Sequence, residues 1–312
     1  MPVRQFRFAV QVSTLTQSPR QLADLARRAE DLGYSAVFVP DHLSADQWSP
    51  ITALAVMAAA TERISLGGLV FCNDYRHPLL LAQELATLHE LSDGRVEFGL
   101  GAGWMTSDYQ ASGMAMDSAG VRIDRLEEAL EMLGALFAER SCSFDGRHYR
   151  VADARLQPTS QAHPPRLIVG GGGRKMLNLA ARLADVVGVN VNLASGAVGP
   201  ELVAEVGPDA FDRRIAWVKE AAGERFGDIE LQCLTFVARV SSDARDWVAS
   251  MAPAFGLTAD EALEVPIVLA GNVQQVAETI EARRERFGFS YWVVHQAELE
   301  DFAPVVSRLA GR

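Results

Sequence analysis

Three groups of residues in this sequence have the types and spacing that chemistry needs. Asp41-His42 sets a carboxyl beside an imidazole, and a histidine can give or take a proton near neutral pH. Adjacent residues on a strand point to opposite sides, so a structural Asp next to a packed His is the alternative. The run Gly170-Gly171-Gly172-Gly173-Arg174-Lys175 lets the backbone approach a ligand closely. The N–H groups and positive dipole end of a following helix would then favour an anion. This is a phosphate cradle in form or a tight turn with permissive glycines, and it lacks the GK[ST] ending of a Walker loop. The third group is scattered: Cys72-Asn73-Asp74-Tyr75-Arg76-His77, Gly101-Ala102-Gly103-Trp104, Asn190-Val191-Asn192 and His295. His77, His89, His148 and His163 fall in a helix, at its entry or in loops, where packing is the commoner role. No HxxxH, HExxH or CxxC occurs, so no metal is expected, and no GxSxG marks a nucleophile.

Each of these residues follows an apolar run that reads as a strand. Phe6–Val12, Ala36–Val39, Ile64–Phe71 and Val96–Leu100 start 30, 28 and 32 residues apart, with amphipathic helical stretches between them. Ser18-Pro19 and Ser49-Pro50 open helices with a cap and a proline, Pro78 opens another, and Gly33 ends the first. Arg166–Val169, Val186–Asn190, Leu231–Val240 and Tyr291–Val294 supply four more strands. Helices are expected at Gly120–Ala138, Arg174–Leu183, Asp209–Ala222 and Val273–Phe287. Eight strands alternating with helices predict a closed (β/α)8 barrel, whose active site gathers at the C-terminal ends of the strands. A doubly wound sheet shares the alternation, but the turn Ser13–Ser18 lacks the glycines of a dinucleotide-binding version. Long excursions follow strand four (101–162) and strand seven (241–271, with a short helix near Thr258–Leu263). The second is expected to cover the active face as a lid. No linker divides the chain, so residues 1–312 are read as one domain.

Composition narrows the partners. The 312 residues carry a net charge of −11, and all but two of the 29 basic residues are arginine. That balance argues against nucleic acid and membrane surfaces. Cys72, Cys142 and Cys233 are far apart, which fits a reducing compartment. The N-terminus reads as a strand without a signal-peptide core, and no apolar run is long enough to span a membrane. A cytoplasmic protein acting on a small molecule is the expectation.

At these residues the sequence resembles the bacterial luciferase-like monooxygenase superfamily, most closely its actinobacterial branch of oxidoreductases that use coenzyme F420. The resemblance runs through AEDLGYSAVFVPDH (Ala29–His42), RHPLLLAQELATLHELSDGR (Arg76–Arg95), GLGAGW (Gly99–Trp104), LIVGGGGRKMLNLAARLAD (Leu167–Asp185) and RRERFGFSYWVV (Arg283–Val294). It implies the (β/α)8 barrel, with a flavin or deazaflavin ring over its mouth and a non-prolyl cis peptide against the ring at Leu69-Val70. It also implies a cofactor-binding set of Leu69, Val70, Asn73, Gly101, Gly170, Gly171, Gly172, Gly173 and Arg174, with the glycines at the phosphate. Asp41 and His42 become the catalytic pair, His42 the proton donor. Sugar-phosphate dehydrogenases of the superfamily carry an acidic residue where Trp104 stands, and only Lys175 and Lys219 are lysines here. A larger, more apolar substrate is therefore expected, met by Trp104, Tyr109 and His295. The resemblance further implies a homodimer.

The leading expectation is F420-dependent hydride transfer to or from a small organic substrate. One rival keeps the fold but uses reduced FMN and oxygen as a monooxygenase. A second is a cofactor-binding or partner subunit without catalysis. A third, a non-redox barrel enzyme such as an aldolase, lacks a lysine at any strand end.

Overall fold

The computed structural model describes residues 4–12, 18–43, 47–157, 163–193, 196, 203 and 205–312. Most of the Ser13–Ser18 turn and residues 158–162 of the first excursion lie outside them. The first half of the chain alternates β1 (Arg7–Gln11), α1 (Pro19–Asp31), β2 (Ala36–Val39), α2 (Pro50–Ala60), β3 (Ser65–Gly68), β4 (Phe71–Cys72), α3 (Pro78–Leu91) and β5 (Glu97–Gly101). Then come α4 (Thr106–Ser112), α5 (Ala119–Glu139), β6 (Ser141–Asp145), β7 (Arg150–Arg155), β8 (Arg166–Gly171), α6 (Arg174–Leu183) and β9 (Val186–Val189). The last third holds α7 (Pro208–Ala222), β10 (Glu230–Leu234), β11 (Val237–Val240), α8 (Ala244–Met251), α9 (Ala259–Glu264), β12 (Val268–Gly271), α10 (Val273–Phe287), β13 (Phe289–His295) and α11 (Leu299–Leu309).

Nine parallel strands form one sheet in the order β3-β2-β1-β13-β10-β9-β8-β5-β4. A parallel bridge between Leu66 and Val96 brings β3 to β5, and the Leu66 N–H donates to the Arg95 carbonyl at 3.1 Å. The sheet thus curls into a nearly closed (β/α)8 barrel. The expected strand Ile64–Phe71 is two pieces, β3 and β4, broken at a cis peptide between Leu69 and Val70. The expected strand Leu231–Val240 also divides. At Thr235 the backbone N–H and the hydroxyl both bond the Val293 carbonyl, and from Phe236 onward the chain turns to Ile267 and pairs β11 with β12 outside the barrel.

Alternation along the strands sorts the barrel interior into layers. Phe8 and Val10 face the helices, while Arg7, Ala9 and Gln11 face inward. The lowest layer is ionic: Arg7 bonds Glu97 (2.5 Å) and Glu230 (2.9 Å), and Arg166 bonds Glu230 (3.1 Å). The middle layer is apolar, with Ala9, Phe38, Ile168, Val186, Tyr291 and Val293 all buried. At the C-terminal ends the layer contains Gly101, Gly170 and Gly188, and the missing side chains leave a cavity there.

The two excursions differ in role. The first contributes Ala102 to Met105, Asp108, Ala119, Arg122 and Ile123 to the cavity wall. None of residues 241–271 lines the cavity, so the expected lid is a buttress. Arg283 of α10 gathers it by donating to the carbonyls of Leu263, Val265, Pro266 and Val268. Its short helix is Ala259–Glu264, capped by Thr258.

Candidate active site

The cavity at the C-terminal face has a volume of about 510 Å³. Its wall includes Leu69 and Val70, and the Val70 side chain is seated over glycines of β5. A Cβ on Gly99 would lie 2.5 Å from Val70 Cγ1, and one on Gly101 would lie 2.7 Å from Val70 Cγ2. Gly99-x-Gly101 therefore makes the pocket that seats Val70. The Gln11 side chain donates to the Leu69 carbonyl at 2.6 Å and ties this wall to β1.

Asp41 and His42 leave the end of β2 together but serve different neighbours, as opposite-facing residues should. The Asp41 carboxylate takes a two-pronged bond from Arg76 (2.7 and 3.2 Å) and accepts the Cys72 N–H at 3.0 Å. Both oxygens are engaged and the residue is buried, so Asp41 holds β4 in place and is not the partner of His42. That partner is Asp108, which the sequence reading missed. His42 Nδ1 lies 2.7 Å from Asp108 Oδ2, which also accepts from the Tyr75 hydroxyl at 2.8 Å, while Oδ1 accepts the Leu43 N–H at 3.0 Å. Asp108 is completely buried. Burial, nearby Cys72 and the bond to Asp108 hold the Tyr75 phenol well above its ordinary pKa, so Tyr75 remains a donor. With Nδ1 donating to a carboxylate, Nε2 is the nitrogen left to exchange a proton with a ligand. Trp104 packs edge-on against the imidazole, ring centroids 5.9 Å apart, and braces it. Cys72, the thiol in this wall, is pushed up to about 12 by burial and stays neutral.

The opposite side carries the glycine run. Gly170 to Gly173 all line the cavity, but they are not equivalent. A Cβ on Gly172 would meet the Val191 carbonyl carbon at 2.3 Å, and one on Gly171 would meet Met176 Cγ at 2.6 Å. At Gly173, the N-cap of α6, the nearest atom to such a Cβ is Asn192 Oδ1 at 3.9 Å, and Gly173 itself has no side chain to cap the helix. Turn and cradle are both present: Gly172 permits the close chain approach, and Gly173 leaves the helix end open. Two amides complete the floor. Asn190 Oδ1 and Gln232 Nε2 are buried in the cavity wall without hydrogen-bond partners. Asn190 follows the end of β9 and Gln232 lies within β10, and both line the cavity.

Of the expected residues, Asp41, His42, Leu69, Val70, Gly101, Trp104 and Gly170 to Gly173 line one cavity. Four do not. Asn73 is buried away from it and donates to the Tyr149 hydroxyl at 3.0 Å. Tyr109 is buried beneath the loop and donates to Asp74 at 2.8 Å. Arg174 turns outward to Glu220 at 3.0 Å, as the first residue of an exposed helix turn can. His295 folds back to cap the turn that follows β13. Among the described residues no group of three or more His, Cys, Asp or Glu side chains is arranged to hold a metal.

A barrel with its cavity at the C-terminal strand ends, a histidine held by a buried aspartate and a broken third strand define the class of protein. The luciferase-like monooxygenase family pattern matches residues 3–291, and the chain belongs to that family. F420-dependent glucose-6-phosphate dehydrogenase of Kribbella flavida is 28% identical over 323 aligned positions, covering 93% of this chain and 92% of that protein. The same-named protein of Microbacterium testaceum is 30% identical over 188 residues, 57% of this chain and 55% of the relative. Apart from the Kribbella protein, the chain spans about half the length of these curated relatives. The coenzyme F420-dependent tetrahydromethanopterin reductase of Methanopyrus kandleri superposes with a TM-score of 0.78 at 19% identity, covering 98% of this chain and 100% of that one. That likeness is one of fold.

Proposed function

We propose that this protein is an oxidoreductase that binds coenzyme F420 and transfers hydride to or from a small organic substrate. The observation that carries the proposal is the pairing of His42 with buried Asp108 in the cavity whose wall includes the apolar Leu69 and Val70. The residues present fit a flat ring with a phosphate tail. The glycine layer leaves the space, the orphaned Asn190 and Gln232 amides offer an acceptor and a donor, and Gly173 leaves a helix end open. A bound deazaflavin would supply the two-electron chemistry. The protein's part is to seat the ring on Leu69 and Val70, hold the phosphate at Gly173 and present His42 Nε2 for the accompanying proton. Asp108 fixes the imidazole tautomer that this requires.

Trp104, Met105 and Phe236 make an apolar rim, and neither lysine lines the cavity; Lys175 bonds Asp124 and the Gly120 carbonyl. This supports a less polar substrate than the sugar phosphate in the names of the relatives. A homodimer belongs to the same reading. Helix α2 has no charged residue, Ala55 and Ala59 are exposed on it, and Leu80 and Leu91 are exposed on the neighbouring α3. So does a cytoplasmic setting without nucleic-acid partners, which the three free, buried cysteines and the acidic balance favour. No helix among the described residues is long and apolar enough to cross a membrane.

Titrating the purified protein with F420 and with FMN, followed by cofactor fluorescence, tests the proposal. F420 is expected to bind and FMN to bind weakly or not at all. Binding of FMN with none of F420 would sink it and leave the monooxygenase reading in its place.

A further inference from the structure

Among the described residues, one cation in the cavity wall has no carboxylate partner. Arg122, in the first turn of α5, lines the cavity and is only 5% exposed. A guanidinium keeps its charge at physiological pH, and burying one without a counter-charge is costly. Its position near a helix N-terminus adds to the demand, because the helix dipole already places positive charge there. One Nη donates to the Asp117 carbonyl, and the guanidinium carbon lies 5.8 Å from the Tyr109 ring centroid. Its Nε is buried without a partner, and among the described residues no carboxylate pairs with it. The nearby carboxylates are engaged elsewhere: Asp74 and Asp117 with Arg125, Asp108 with His42 and Tyr75. The other buried arginines are better served. Arg214 holds the Glu205 carboxylate, and Arg283 donates to four carbonyls.

The location indicates which anion Arg122 would take. Lys175 at the start of α6 reaches the Gly120 carbonyl of α5 at 3.0 Å, so the first turns of the two helices abut. Ala119 and Arg122 from one, and Gly173 and Met176 from the other, line the same cavity. We propose that Arg122 is the charged half of an oxyanion site, the N-terminus of α6 at Gly173 being the other half, and that the site takes the cofactor's phosphate. This rests on the cofactor reading above, with the added claim that the phosphate is held by a side chain of α5 as well as by the glycine loop.

The test compares F420 with its phosphate-free deazaflavin riboside, both followed by fluorescence, on wild type, Arg122→Gln and Arg122→Lys. Loss of a charge-assisted bond to phosphate should weaken F420 binding by about 10–100-fold in Arg122→Gln. Riboside affinity should be unchanged, and Arg122→Lys should recover part of the loss. Equal F420 affinity in wild type and Arg122→Gln overturns the inference while leaving the cofactor reading intact. So does an equal fall for F420 and riboside, which marks damage to packing. If the wild type binds FMN and not F420, the cofactor reading fails. The FMN–riboflavin pair then decides the inference by the same criteria. Binding of none of these overturns both. Should Arg122→Gln fail to fold, Arg122→Lys decides alone: a loss confined to F420 supports the site, and equal losses refute it.

Discussion

The proposed chemistry turns on one nitrogen, His42 Nε2, and its availability is decided by a residue 66 positions away. Asp108 holds Nδ1 at 2.7 Å and is itself held by Tyr75 and the Leu43 N–H. Replacing His42 by Ala removes the proton carrier without touching the ring wall or the glycine run. Turnover should fall by about 10²–10⁴-fold, with F420 affinity in the fluorescence titration nearly unchanged. Asp108→Asn should lower turnover in the same direction, because an amide can donate to Nδ1 and favour the wrong tautomer. Rescue by Asp108→Glu would separate this from simple unfolding. If His42→Ala kept full turnover, the histidine would have no part in the chemistry. The adjacent Asp41 behaves differently. Its oxygens are committed to Arg76 and Cys72, so substitution there should loosen β4 and weaken cofactor binding along with activity.

At the scale of elements, the site is made by two interruptions of regular structure. One is the break between β3 and β4, where Val70 drops into the space over Gly99 and Gly101. The other is the passage from β8 into α6. There Gly172 should be intolerant of any side chain, since a Cβ would stand 2.3 Å from the Val191 carbonyl carbon. Gly172→Ala should destabilise the fold by about 1–3 kcal/mol, the usual range for overpacking, measured by urea unfolding. Gly173→Ala meets only Asn192 Oδ1 at 3.9 Å and should cost less than about 1 kcal/mol. A comparable loss at both positions would mean that the close approach at Gly172 is not what restricts this turn. The segment 241–271 shows how length misleads: a long loop after a barrel strand suggests a cover, yet Arg283 fastens this one to the outside of α10.

For the whole molecule, the barrel buries its own core and leaves apolar side chains exposed on α2 and α3. A helix without charge on any side is normally covered, and α2 carries exposed Ala55 and Ala59 while its neighbour α3 carries exposed Leu80 and Leu91. Sedimentation of the purified protein should therefore find a dimer. Ala59→Glu should shift it toward monomer while leaving the far-ultraviolet circular dichroism unchanged. A wild-type monomer at micromolar concentration would remove the homodimer from the proposed function. The acidic total charge has a local exception near the glycine run, where Arg122 faces the cavity.

Much of this was legible in the sequence because the signals are local. Apolar runs about 30 residues apart, Ser-Pro helix starts and glycine stops are near-neighbour physics. They place the strands, and the strand ends place His42, Trp104 and the glycines. The break at Leu69-Val70 came from resemblance to a family, since its cause is Val70 seated against glycines on another strand. The pairing of Asp108 with His42, the diversion of Asn73 and Tyr109 into the packing beneath the site, and the uncompensated charge of Arg122 were not legible. Each depends on which side chains from distant segments meet at the barrel mouth. Residue type and periodicity determined that there would be a barrel with a polar, glycine-bearing mouth. Only tertiary packing decided which of the polar groups there would be spent on one another and which would be left to face a ligand.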